Sequence, residues 1–159
     1  MDIHLPDAML FAPAHLVVRE SPINGRGLYT TRAVRAGEPL LIIAGELVAE
    51  SEALRREREE ANWYIYCHGE TFIDTAQSAT ARYLNHSCAP NTTTVARDGA
   101  TRYLIAIRDI AAGVELTLDY EYHEIYDLCQ RLNAHCLHRA CPRAGQGAHA
   151  ATRISGDDQ

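Results

Sequence analysis

Lysine is missing from this chain. All fifteen basic residues among its 159 are arginines, so chemistry that needs an enzyme amine is excluded: no Schiff base can form on a side chain, and no P-loop lysine can reach a nucleotide phosphate. A bias toward Ala and Arg accompanies the gap, which genomic base composition explains most simply. Long apolar runs are missing too. The longest, "PLLIIAG" over 39–45, falls far short of the roughly 20 residues that span a bilayer. The opening "MDIHLPDAML" lacks the basic start of an export signal. These absences set the expectation of an intracellular, cytoplasmic protein with no membrane partner. A paired cysteine set is absent as well: five cysteines, an odd number, point to thiols or metal ligands over a disulfide framework. Nor is there a cationic surplus. The net charge of −6 disfavours direct nucleic-acid binding and suits a basic partner.

What is present reads as one soluble domain, with 47% hydrophobic residues and length enough for a core. Short segments rich in β-branched and aromatic residues dominate: "HLVVRE", "GLYTTR", "PLLIIAGELV", "NWYIYCHGETFID", "TTTVA", "RYLIAIRDI" and "VELTLDY". Asp98-Gly99 predicts a hairpin turn. "SEALRREREEA" predicts a helix with Ser51 as N-cap and a solvated, charged face. "HEIYDLCQRLNA" predicts a second, burying Ile125, Leu128, Cys129 and Leu132 along one side. The fold class expected is mainly β with short helices, ending in a polar tail.

The stretch "ARYLNHSCAPN" over 81–91 crowds an amide, an imidazole, a hydroxyl and a thiol into consecutive positions. A nucleophile with its base is one reading, although triad partners normally meet through the fold and no G-x-S-x-G elbow supports Ser87. A metal site is another, with His86 and Cys88 as an incomplete ligand pair. A tight turn is the third, because Asn, Ser and Pro all favour loops. Elsewhere, Gly25-Arg26-Gly27 places two glycines where the chain reverses, which permits close approach of backbone to a ligand. In "GVELTLDYEY", Glu115, Asp119, Tyr120 and Tyr122 punctuate a strand whose simplest reading is a sheet edge with polar faces.

In order, "GRGLYTT", "FIDTAQSATARYLNHSCAPN" and "GVELTLDYEY" closely resemble the SET-domain protein lysine methyltransferases, over about Leu16 to Cys141. The resemblance implies small twisted sheets around a knot-like crossing, where the NHSC and ELTxDY segments pass each other and form an S-adenosylmethionine pocket and a lysine channel. It implies cofactor contacts from Gly25, Arg26, Gly27, Asn85, His86 and Tyr120. Tyr120 and Tyr64 become the catalytic pair that orients the amine, and Tyr64, Leu118 and Tyr122 line the substrate channel. Tyr66 and Tyr103 read as core filling. Glu115 and Asp119 read as structural supports of the crossing. The partner implied is a lysine-containing protein or peptide, with histone tails among the family's substrates. The alternative is a SET-fold module that binds peptide without efficient turnover.

Two departures from the family pattern stand out. Many members carry C-x-C-x4-C after the core, whose thiolates join the NHSC cysteine around one structural zinc. Here Cys136 and Cys141 keep the x4 spacing, but Ala134 replaces the first cysteine. The resemblance thus implies zinc on Cys88, Cys136 and Cys141, with His135, His138 or Cys129 as fourth ligand, or else a tail that has lost its metal. Leu118 stands where the family usually has Phe or Tyr, which implies room for di- or trimethylation. The domain organisation expected is an N-terminal segment over 1–15, a SET domain over 16–123, a post-SET-like segment over 124–145 and a flexible tail over 146–159.

Overall fold

A computed structural model of the protein describes residues 10, 11 and 13–120. The second expected helix, with Tyr122, Cys129, His135, Cys136, His138 and Cys141, lies outside them. Among the described residues the elements follow one another as β1 (Leu16–Glu20), β2 (Arg26–Thr30), β3 (Pro39–Ile43), β4 (Glu46–Val48), α1 (Glu50–Glu60), β5 (Ile65–His68), β6 (Thr71–Asp74), a 3₁₀ turn (Ala81–Tyr83), β7 (Asn85–His86), β8 (Thr92–Ala96), β9 (Arg102–Ala106) and β10 (Glu115–Leu118). They form three small sheets, ordered β1-β2-β10-β7, β3-β9-β8 and β4-β6-β5.

The sheets share one core because each turns an apolar face toward the others. Leu28 and Leu116 come from the first sheet, Leu41, Ile43 and Leu104 from the second, and Ile73 from the third, each no more than 1% exposed. Each such side chain contributes roughly 1.5–3 kcal/mol by leaving water. A satellite cluster of Val48, Ala53, Ile65 and Phe72 seats α1 on the third sheet.

Several sequence expectations change in detail. "PLLIIAGELV" is two strands in different sheets: β3 pairs with β9, whereas β4 pairs with β6. The chain turns between them at Ala44-Gly45. "NWYIYCHGETFID" is a hairpin, β5 against β6, turned at Gly69 with φ +61°. Helix α1 starts at Glu50, so Ser51 lies inside it; the N-cap is Ala49, with no side-chain cap bond. Glu50 and Glu52 in the first turn answer the helix dipole instead. The charged face also does more than meet solvent. Arg56 reaches Asp74 at 2.7 Å and Glu46 at 2.8 Å, tying the helix to β6 and β4. Burial opposes ionisation of Asp74, but bonds from the Ala76 N–H, Arg56 and Asn62 outweigh it and lower its pKa. The segment read as a sheet edge is interior, because β10 lies between β2 and β7. The Asp98-Gly99 hairpin is present, joining β8 to β9, and Asp98 Oδ1 accepts the N–H groups of Ala100 and Thr101 at 2.8 Å.

Gly45 is where two sheets are stitched. A Cβ added there would stand 2.0 Å from the Asp74 carbonyl oxygen and 2.8 Å from its carbon. Both belong to a paired strand that cannot retreat without breaking its ladder. Gly45→Ala should therefore destabilise the fold by about 1–3 kcal/mol, read as a lower urea midpoint at unchanged slope.

Candidate active site

The two segments singled out in the sequence meet as β7 and β10. They run parallel, with Thr117 opposite Asn85 and Leu118 opposite His86, and the Ser87 N–H donates to the Leu118 carbonyl at 3.0 Å. After Pro90 the chain continues across β10, and here Asn91 serves as a substitute strand. Its Nδ2 donates to the Glu115 carbonyl and its Oδ1 accepts the Thr117 N–H, both at 2.8 Å. The Thr92 hydroxyl donates to the Thr117 carbonyl at 2.8 Å. Asn91 is 5% exposed, so both ends of its amide must be satisfied, as they are. The sequence suggested only a turn former at this position.

Glu115 gathers the neighbouring turn. Its carboxylate accepts the Ser21 hydroxyl at 2.8 Å, Asn85 Nδ2 at 2.8 Å and the Tyr29 hydroxyl at 3.1 Å. Asn85 Nδ2 also reaches the Arg26 carbonyl at 3.0 Å and that of Asn24 at 3.2 Å. The side chain of Asn85 thereby pins the Gly25–Gly27 turn against the crossing. A Cβ on Gly27 would fall 2.1 Å from Glu115 Oε1, whereas one on Gly25, at φ +45°, would meet open space. Gly27 is thus required by the carboxylate behind it and Gly25 by its left-handed backbone. Burial first, then the hydrogen bond and charge of Glu115, push the Tyr29 phenol above its ordinary pKa. Ser21 and Tyr29 were not foreseen; no pattern in the sequence marks a hydroxyl as the partner of a carboxylate 94 residues away.

Two tyrosine hydroxyls clamp the 3₁₀ turn that leads into β7. Tyr120 donates to the Leu84 carbonyl, and Tyr66 to the Ala81 carbonyl at 3.2 Å. Tyr66 is core filling with its hydroxyl satisfied, as expected. Tyr120 is held protonated far above neutral pH, by burial first and then by the Tyr64 hydroxyl and the Glu115 carboxylate. Tyr64 is 37% exposed, and Tyr120 is half-buried against the core. Leu118 lies in the core against which Tyr120 packs, 7% exposed.

His86 is fixed at both ring nitrogens. Nδ1 accepts the Tyr120 N–H at 3.1 Å, and Nε2 stands 3.3 Å from Cys88 Sγ. With Nδ1 accepting, the proton of the neutral ring lies on Nε2 and points at sulfur. Such an imidazole donates to Cys88 and cannot take its proton, which removes the Cys-His nucleophile reading. Ser87 is 2% exposed and its oxygen accepts the Ala89 N–H, so it offers no nucleophile either. Asp119 lies 3.8 Å from His86 Nδ1. Among the described residues no group of three His, Cys, Asp or Glu side chains is placed to hold a metal, and of the expected zinc ligands only Cys88 falls within them.

The contact between Asn85 and Glu115 gives a specific expectation. Asn85→Asp keeps the shape but sets a second carboxylate 2.8 Å from the first, which raises the folded pKa of the pair above its unfolded value. A raised pKa contributes stability that is complete below the unfolded value and lost as pH rises through the folded one. Urea unfolding should show the variant weaker than the parent by roughly 2 kcal/mol or more at pH 8, with much of the gap closing toward pH 4.

The family model described as SET domain matches residues 25–121. The histone-lysine N-methyltransferase trithorax of Drosophila virilis is 38% identical over 114 residues, covering 66% of this chain and 3% of trithorax. The H3 lysine-4 specific histone-lysine N-methyltransferase of Aspergillus fumigatus is 34% identical over 131 residues, 76% of this chain and 11% of that protein. Its namesake in Saccharomyces cerevisiae is 34% identical over 126 residues, 73% and 12%. The chain thus spans only a small part of the length of these relatives. A solved structure described as the structural basis for the product specificity of histone lysine methyltransferases superposes with a TM-score of 0.59 at 27% identity, covering 66% of this chain and 50% of that one. With three small sheets about a threaded crossing and a family match across both crossing segments, the chain belongs to the SET-domain family.

Proposed function

We propose that the chain is an S-adenosylmethionine-dependent protein-lysine N-methyltransferase acting on a basic, lysine-containing protein or peptide. One observation carries the reading. Tyr120, at the crossing, donates its hydroxyl hydrogen to the Leu84 carbonyl and so keeps its lone pairs for an incoming donor. An amine N–H is such a donor, and accepting it turns the nitrogen lone pair to a defined direction. The names of the relatives support a lysine of a protein such as a histone, and the charge of −6 supports a basic substrate.

A cationic cofactor suits the donor set. Space beside Gly25 is open, and Glu115, against Gly27, is a carboxylate that accepts the neutral groups of Ser21, Tyr29 and Asn85. Backbone of Gly25, Arg26 and Gly27, with Asn85, His86 and the ring and backbone of Tyr120 but not its hydroxyl, would hold S-adenosylmethionine, which supplies a methyl already activated on a sulfonium. The chain then has to align and dry the acceptor. Tyr120 is not a base, since its phenol stays protonated; the ammonium of the substrate sheds its proton to solvent as the channel desolvates it. Tyr64 shields the opposite wall. Leu118 presents no hydroxyl to hold a water beside the amine, which favours more than one methyl per lysine. Cys88, hydrogen-bonded by His86 Nε2, would anchor one structural zinc with Cys136 and Cys141.

Tyr120→Phe should lower methyl transfer to a histone H3 tail peptide roughly 100-fold while leaving S-adenosylmethionine binding by calorimetry near the parent value; near-normal turnover would remove Tyr120 from the reaction. Because the chain has no lysine, untagged protein with labelled cofactor alone should take up no label, whereas the peptide should. Label mapped to an Arg or His of the chain would overturn the lysine reading. Elemental analysis of protein purified without added metal should give one zinc per chain, lost in Cys136→Ser; its absence would leave Cys88 a plain thiol.

A further inference from the structure

A cleft of about 720 Å³ lies between the residues ahead of β1, the Ala44-Gly45 junction and the C-terminal end of α1, and it shares no lining residue with β7, β10 or the glycine turn. A concavity of this size takes several side chains of a ligand. Part of its lining is apolar, from Phe11, Pro13 and Ile42, and part is charged, from Glu46, Arg56, Glu60 and Asp74. Phe11 is 50% exposed there, with the Arg97 guanidinium 6.0 Å from its ring centroid. An aromatic ring left half in water in the lining of a cleft gives a partner apolar area to cover.

The charges of the lining do not balance. Arg56 is shared by Glu46, Glu52 and Asp74, at 2.8 Å, 2.8 Å and 2.7 Å. Arg55 is shared by Glu52, Glu59 and Glu60. Two guanidinium groups thus serve five carboxylates. Asp74 is satisfied by Arg56, Asn62 and the Ala76 N–H, but the side chains of Glu46 and Glu60 are 64% and 50% exposed and retain lone pairs for a further donor. The imbalance extends along the segment. Residues 46–74 carry eight carboxylates and three arginines, whereas the other described residues carry six carboxylates and eight arginines. The negative field of the described chain therefore comes from the segment that supplies the charged lining of the cleft.

We propose that this cleft docks a basic segment of a partner protein, one that sets arginine or lysine beside apolar side chains. The cation completes the half-used carboxylates of Glu46 and Glu60 with charge-assisted bonds, and the apolar side chain covers Phe11, Pro13 and Ile42. The inference stands apart from methyl transfer, because the docked segment needs no lysine.

Calorimetry on the full chain tests it, with a short synthetic peptide of alternating arginine and leucine as the probe. The parent protein should bind one peptide per chain, more weakly as salt rises. Absence of binding overturns the inference and leaves the methyltransferase reading as it was, since the probe offers a lysine channel nothing. Glu46→Gln with Glu60→Gln should weaken binding roughly tenfold. Glu50→Gln with Glu70→Gln makes the same change of charge at exposed residues outside the lining and should weaken it no more than about twofold. Equal losses in the two pairs would mean that the general field alone attracts the probe, which overturns the site. Phe11→Ala should also cost several-fold, and so should alanine for leucine in the peptide; parental affinity in both overturns the apolar half of the proposal. If the first pair does not fold, Glu60→Gln decides, because Glu60 bonds Arg55 and stands outside the joint that Arg56 makes with β4 and β6; parental affinity there overturns it. Sedimentation that shows a parent dimer dissociated by the probe would give the cleft to a second copy of the chain and overturn the partner named here. Binding by a parent protein that methylates no lysine would defeat the methyltransferase reading alone.

Discussion

The contact on which the rest of this structure depends is the carboxylate of Glu115 with its neutral donors. Taking a carboxylate out of water is costly unless hydrogen bonds replace its hydration. Here the replacements come from Ser21 before the glycine turn, Tyr29 in β2 and Asn85 in β7. None of the three can be supplied locally. All three bonds form only when the turn, the first sheet and the crossing are in place, which couples those parts to one another. A counter-cation would have removed that dependence by satisfying the carboxylate alone.

Around this centre the chain replaces strand pairing with side-chain amides and phenols. The parallel pairing of β7 with β10 is only two residues long, too short to be stable by itself. Asn91 extends it by reproducing the donor and acceptor of a peptide group, and Thr92 adds a further bond. Tyr66 and Tyr120 then fix carbonyls of the preceding turn. The reacting groups proposed here sit on parts of the backbone that side chains, more than sheet ladders, hold still.

Much of this was legible beforehand. Alternating β-branched segments located most strands, because burial of one face leaves that trace in composition. The crossing was legible only through family resemblance, since nothing in the periodicity of "LNHSC" says that it pairs parallel with "ELTLD". Where local rules were applied alone they failed in instructive ways. Ser51 is a good N-cap by type, yet the helix begins one residue earlier, where ion pairs from Arg56 dock it on β4 and β6. "PLLIIAGELV" reads as one strand because Gly45 resembles a tolerated interruption; its close approach to the Asp74 carbonyl shows that it is a junction. The roles of Ser21 and Asn91 depend on partners far away in sequence, where residue type carries no address.

The bond from Ser21 to Glu115 closes a loop of 94 residues, and that length bears on how the molecule comes into being. Loop closure of this size has to precede the contacts that reward it, which slows folding in proteins dominated by distant pairings. While the chain is still being synthesised, β2 and the glycine turn emerge long before β10, and the crossing stays open until β10 arrives. Folding and assembly of the site are therefore one late event. A partly made chain lacks the crossing, and the site proposed above cannot exist before the fold is closed.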